Sequence, residues 1–297
     1  MNKKNIIVLL VLSISLLSGI FSEWHVKRKV YYENNGYIYG LTIDDSWYGK
    51  VNTSKVIKKF KRLKKKNKFS KNITFRIVMS KDRKPEKYVK LFKAVKSIGH
   101  IMATPVDSSE MITYKSVKSY EKRFSDSYKH LKDYVDIWEI GNEINGENWL
   151  GKDEQFIADK MFAAYSLIKG EGGKTALTSY YTKPGLQKRE MSNWLEKYVP
   201  ENMKNDLDYV FVSYYEDDNE GYNPGWKAVF SQLEKQFPNS KLGIGECGCT
   251  KEKATKKQKQ KRYNYYYNMP KYVGNYVGGY FWWYAVQDFV IKKDLKF

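Results

Sequence analysis

The chain has 297 residues, 53 Lys and Arg against 33 Asp and Glu, and a formal net charge of +20. That length suits a single α/β barrel, which runs to about 250 residues, and ordinary apolar content supplies one large core. Two cysteines, Cys247 and Cys249, exclude a disulfide scaffold: a bridge so short is strained, and a metal would need more ligands than the pair offers. They read as free thiols or a labile pair.

So basic a chain has nucleic acid, an anionic membrane surface and an acidic polysaccharide as candidate partners. Most of the excess is Lys on predicted outer helices, a compositional feature of a solvated surface. No nucleic-acid-binding motif is present, so no nucleic-acid partner is expected. The 26 Tyr and 8 Trp exceed what a core needs and suggest an aromatic-lined groove.

Residues 1–22 read as a targeting segment. Lys3 and Lys4 form its positive end, and Ile6 to Phe21 is an apolar run too short for an ordinary spanning helix. Ser18 to Ser22 lacks a clean cleavage pattern, so a cleaved signal peptide and an uncleaved anchor both stay open. Either way residues 23–297, read as one domain, lie outside the cytoplasm: secreted, or tethered to the outer face of the cytoplasmic membrane.

From residue 37 onward short β-rich runs alternate with amphipathic helical patterns, as in successive βα units. The predicted strands are Tyr37–Ile43, Ile73–Met79, Ile101–Pro105, Val135–Gly141, Thr175–Tyr180, Tyr209–Tyr214, Leu242–Glu246 and Val277–Trp283. Helical faces follow them, such as Val56, Ile57, Phe60 and Leu63 after the first. Eight βα units predict a closed (β/α)8 TIM barrel. A doubly wound open sheet is the alternative, but no glycine-rich phosphate turn follows the first strand. After the eighth strand only residues 284–297 remain. Either the last helix is short or residues 23–36 cover that gap.

In such a barrel the active site lies at the C-terminal strand ends. Glu143 follows strand four in Trp138-Glu139-Ile140-Gly141-Asn142-Glu143, and Glu246 ends strand seven in Gly245-Glu246-Cys247-Gly248. Strands four and seven face each other across the barrel, so two carboxylates can converge on one bond. Hydrolysis of a glycosidic bond with retention needs that pair: one carboxylic acid to protonate the leaving oxygen, one carboxylate to attack.

These two motifs resemble the strand-four Asn-Glu and strand-seven Glu motifs of clan A glycoside hydrolases, also called the 4/7 superfamily. The resemblance implies a retaining glycosidase with Glu143 as acid/base and Glu246 as nucleophile. It further implies Arg76 beside the nucleophile, Asn142 on the sugar, and Tyr214 or Tyr215 orienting Glu246. Trp282 or Trp283, with Trp283 preferred, would form the floor under the sugar. The three histidines, His25, His100 and His130, fall at no predicted C-terminal strand end. That departs from several families of the clan and speaks against a metal-dependent hydrolase. No metal or other cofactor is expected.

Asp44, Asp45 and Trp47 after strand one, and Tyr180 and Tyr181 after strand five, are candidate substrate contacts on the same face. The acidic run Glu216, Asp217, Asp218 and Glu220 matches no calcium loop and reads as a solvated loop. The reading is a glycosidase on an extracellular or envelope polysaccharide or oligosaccharide, endo-acting given the aromatic loops. The alternatives are a non-catalytic glycan-binding protein on the same scaffold and a transglycosylase using the same two glutamates.

Overall fold

The structure, a computed structural model, describes residues 37–66 and 73–296. The predicted targeting segment 1–22, residues 23–36 and His25 lie outside the described residues. Eight parallel strands close into a barrel in sequence order: β1 (Ile38–Ile43), β2 (Ile73–Val78), β3 (His100–Thr104), β4 (Ile137–Gly141), β5 (Thr175–Tyr180), β6 (Tyr209–Ser213), β7 (Lys241–Glu246) and β8 (Tyr276–Trp282). The TIM-barrel expectation holds, each strand lying within two residues of its predicted bounds.

The outer layer is α1 (Thr53–Lys66), α2 (Val89–Lys96), α3 (Val117–Leu131), α4 (Glu154–Gly170), α5 (Met191–Tyr198), α6 (Trp226–Gln236) and α7 (Lys256–Tyr267), with a short helix at Glu201–Asp206. Each long helix buries one stripe and turns most of its lysines to water, Lys160 of α4 being the buried exception among the long helices described. In α1, Val56 and Phe60 are buried while Lys55, Lys58, Lys61 and Lys65 are exposed. In α3, Tyr120, Phe124 and Leu131 are buried, and the helix starts at a reciprocal Ser116–Ser119 capping box, which satisfies otherwise orphaned N–H groups. Among the described residues, a short π-helical segment, Val286–Ile291, follows β8.

The barrel interior changes character along the strands. Ile38, Met102, Ile137, Ala176, Tyr209, Phe211, Val277 and Phe281 form an apolar cluster toward the N-terminal end. Same-face residues two positions further on are polar: Thr104 after Met102, Glu139 after Ile137, Thr178 after Ala176. Period-two alternation sends both members of each pair inward. The apolar layer carries the packing, and the layer above it supports the mouth.

Two glycines permit this closure near the site. A Cβ on Gly245 would stand 2.6 Å from Phe211 Cβ and 2.9 Å from Thr178 Oγ1. One on Gly141 would stand 2.9 Å from Ile144 Cδ1. Larger residues there would push β7 or the turn after β4 away from the core.

Candidate active site

The polar layer is built around Arg76 on β2, which is fully buried. Its Nε donates to Glu139 Oε2 at 2.8 Å, and its Nη2 lies 2.8 Å from the same oxygen. Its Nη1 donates to Glu246 Oε2 at 2.7 Å. Glu139, on β4 and also fully buried, accepts further hydrogen bonds from Thr104 Oγ1 and Thr178 Oγ1. Burial acts to discharge Arg76, but Glu139 and then Glu246 outweigh it and hold the guanidinium pKa above its ordinary value. A buried cation is tolerable only with such partners.

Glu246 ends β7 and is 6% exposed. Its other oxygen, Oε1, accepts from Tyr215 OH at 2.8 Å. Burial, reinforced by Glu246 and Glu143, holds the Tyr215 phenol well above its usual pKa, so it stays a donor.

Glu143 follows β4 with φ at 47°, in the left-handed region that costs a side-chain-bearing residue free energy. The turn is held by Ile144 N donating to Thr178 O at 3.1 Å and Gly146 N donating to Glu143 O at 2.7 Å. This conformation presents the half-buried carboxyl to the mouth. There it accepts from Ser213 Oγ at 2.7 Å and Ser108 Oγ at 3.0 Å. Ser213 lies opposite Glu246 in the β6–β7 register, so one residue links the environments of both glutamates.

Burial pushes both carboxyls up, Glu143 to about 7 and Glu246 to about 8. Asp107 adds to the rise at Glu143, and Glu143 and Asp107 add to it at Glu246, while Arg76 opposes it there. Two such neighbours titrate as a pair, and their contacts decide where the shared proton rests. The higher value belongs to Glu246, yet each of its oxygens already accepts from a donor, one of them a fixed cation. A proton on Glu246 would compete with Arg76 or Tyr215. The partners of Glu143 are hydroxyls, which can turn to accept. The proton therefore belongs on Glu143 and the charge on Glu246.

Both glutamates line a cleft of about 400 Å³ at the C-terminal end of the barrel. Asp107, Ser108 and Ser109 after β3 form part of its wall, with Asp218 and Thr250 also in the lining. The aromatic lining is Trp149, Tyr180, Tyr215, Trp283 and Tyr284. Trp149 and Tyr180 meet edge to face at 5.6 Å. The Trp283 ring lies 5.5 Å from the Arg76 guanidinium carbon. Asn142 is buried just behind the wall, with Nδ2 donating to Asp107 at 3.1 Å and Oδ1 without a hydrogen-bond partner.

Of the residues singled out in the sequence, Glu143, Glu246, Tyr215, Tyr180 and Trp283 meet in the cleft, with Arg76 beneath and Asn142 behind. Others are placed elsewhere. Tyr214 is buried against Trp226, and its hydroxyl donates to Tyr222 O rather than to Glu246. Trp282 is fully buried with Nε1 donating to Asp288 at 3.0 Å. Their chain neighbours Tyr215 and Trp283, just past the ends of β6 and β8, face the cleft instead. Trp47 is buried outside the cleft lining. Asp44 accepts from Gln287 Nε2 at 2.9 Å, tying the loop after β1 to the last helical segment. In the acidic run, Asp217 accepts from Thr250 N at 3.0 Å and pairs with Arg262, as does Glu216, so this loop is pinned rather than freely solvated. Cys247 is buried, Cys249 is half-buried, and both are free thiols.

Sequence reasoning passed over Glu139, Ser213, Asp107, Ser108 and Trp149. Glu139 had a signal: an acid inside an apolar strand, in phase with inward-facing Ile137. Asp107 and Ser108 follow β3 on the active face, a position that marks them as candidates.

No protein-family model and no curated protein matches the chain. Among solved structures it is similar to the family 1 β-glucosidase from Thermotoga maritima, with TM-score 0.56 and 12% identity, covering 84% of this chain and 87% of that one. The β-glucosidase from the same organism in complex with noeuromycin matches with TM-score 0.54 and 12% identity, covering 84% and 88%. Gas2p from Saccharomyces cerevisiae, in complex with laminaritriose and laminaritetraose, matches with TM-score 0.52 and 12% identity, covering 84% of this chain and 56% of that one. At these identities the likeness is one of fold.

Proposed function

We propose that the chain is a retaining glycoside hydrolase of clan A type, acting on an extracellular or cell-envelope polysaccharide by double displacement. The observation that carries this reading is the unequal holding of two carboxyls in one cleft. Glu246 is gripped by a cation and a phenol, while Glu143 rests between two seryl hydroxyls. Acid and nucleophile must differ in this way.

Glu143 gives its proton to the glycosidic oxygen as the bond to the anomeric carbon breaks. Glu246 attacks that carbon, forming a glycosyl ester. Glu143, now ionised, takes a proton from water, and the water oxygen displaces Glu246. Arg76 and Tyr215 keep Glu246 ionised and aimed. Trp283 lies under the sugar ring, Asn142 holds a hydroxyl, and Trp149 and Tyr180 receive further sugar units, as suits endo action. The solved structures of similar fold bound to sugars or sugar mimics support a glycan as the ligand. The Lys3/Lys4 and Ile6–Phe21 pattern supports export, with action outside the cytoplasmic membrane.

The test is release of reducing ends from a panel of neutral, amino and acidic polysaccharides, followed by NMR of the first-formed anomer. Retention that disappears in Glu246→Gln supports the proposal. Inversion, or full activity in Glu246→Gln, overturns it.

A further inference from the structure

The net charge of the chain and the charge of its cleft have opposite signs. The chain carries +20, yet the cleft lining holds four acidic side chains, the carboxylates Asp107, Asp218 and Glu246 and the protonated Glu143, and neither Lys nor Arg. Arg76 lies beneath and is taken up by Glu139 and Glu246. Double displacement uses two of the four carboxyls. Asp107 and Asp218 are surplus to it, and neither forms a salt bridge to a Lys or Arg among the described residues.

Asp107 is placed to bind. Its Oδ1 accepts from Asn142 Nδ2 at 3.1 Å and its Oδ2 from Ser109 Oγ at 2.6 Å, so each oxygen keeps a further lone pair. The same Asn142 carboxamide carries an acceptor, Oδ1, that is buried and unpartnered, with the residue only 3% exposed. A buried acceptor without a donor is costly unless a ligand supplies one. A carboxylate and an amide oxygen on adjoining side chains, with neither Lys nor Arg in the cleft lining, are two acceptors for one multi-donor cation. An ammonium has three N–H donors and no acceptor. A uronate or sulfated sugar would meet like charge at Asp107, Asp218 and Glu246.

We infer that the cleft takes an amino sugar in its free ammonium form, the ammonium standing in place of the hydroxyl at Asn142 Oδ1 and pairing with Asp107, with Asp218 as a second cation-favouring group. The inference rests on the glycosidase reading and names its substrate class. The basic surface, by contrast, belongs to the outer helices and lies away from the bond that is cut.

The test uses the full chain and matched oligosaccharides of glucosamine and of galactosamine, each as free amine and N-acetylated, with an oligogalacturonide as the anion. Reducing-end release is measured on the wild type, and binding is measured calorimetrically on Glu143→Gln. The free amines should be preferred by about tenfold or more, as for a charge-assisted hydrogen bond. Their KM should rise with salt, which screens the attraction. Asp107→Asn should raise KM for the amine and narrow its advantage over the N-acetyl form. Cleavage of the N-acetylated or uronate oligosaccharides equal to or better than the amines, and lost in Glu246→Gln, overturns the inference and leaves the glycosidase standing. Amine binding that weakens in Asp107→Asn, without cleavage by the wild type, supports the inference and counts against the hydrolase. Neither binding nor cleavage of either amine series overturns it.

Discussion

Arg76 reaches Glu246 with Nη1 at 2.7 Å, while the rest of its guanidinium is fastened to a second carboxylate, Glu139, one layer deeper in the barrel. The cation beside the proposed nucleophile thus has its position set by β4 as well as β2. Because the whole group is buried, its parts are coupled. Removing one charged partner leaves the others uncompensated, a loss of about 3–5 kcal/mol in buried pairs.

Glu139→Leu should therefore lower stability by about that amount, read by denaturant unfolding. Glu139→Gln keeps the shape and two polar atoms, and should fold. With the carboxylate gone, Arg76 acts on Glu246 alone and favours its ionised form more strongly. The acid limb of kcat/KM against pH should then move to lower pH. A merely structural role for Glu139 would leave that limb in place.

The raised pKa of Glu143, about 7, places the loss of the acid form near neutrality, so kcat/KM should fall as pH rises through about 7. The Ser213 hydrogen bond favours the ionised form. Ser213→Ala should therefore raise the pKa and extend activity to higher pH. Ser108→Ala should act in the same direction. A basic limb unmoved in both variants would detach it from Glu143. Glu143→Gln should cost about 10²–10⁴-fold in kcat on substrates with poor leaving groups.

Stability should follow the same two carboxyls. The proton they share rests on Glu143, whose folded pKa of about 7 lies above the ordinary carboxylate value of 4.5, so the folded state binds more protons than the unfolded state between about 4.5 and about 7. That contribution to stability is fully present below 4.5 and is lost as pH rises through about 7. Melting temperature should fall as pH rises from the carboxylate range through neutrality. Glu143→Gln should flatten part of that slope, since its side chain no longer titrates.

The tyrosine pair separates aim from packing. Tyr215→Phe removes a hydrogen bond to a charged oxygen, worth about 1.5–3 kcal/mol, and should lower kcat by roughly 10- to 100-fold. Tyr214→Phe removes a hydroxyl that points at Tyr222 O and should leave kcat/KM within about twofold while slightly lowering stability. Similarly, Trp283→Ala should act on KM, whereas Trp282→Ala should cost about 3–5 kcal/mol of core stability.

Much of this protein is legible along the chain. The eight β-rich runs and the amphipathic stretches between them determine the barrel, because strand and helix periods are local properties of residue order. Strand order also determines that Glu143 and Glu246 share one end of the barrel. Only the tertiary structure decided which neighbour of each adjacent pair faces the cleft: Tyr215 rather than Tyr214, and Trp283 rather than Trp282. Residues one apart in sequence carry the same local propensity, and a shift of one position sends a side chain to the opposite face. Only the closed barrel brought Glu139, Arg76 and Glu246 together, because their strands are distant in sequence and meet across its axis. The sign of the cleft was likewise hidden: net charge sums the outer helices with the mouth, and only folding separates the two.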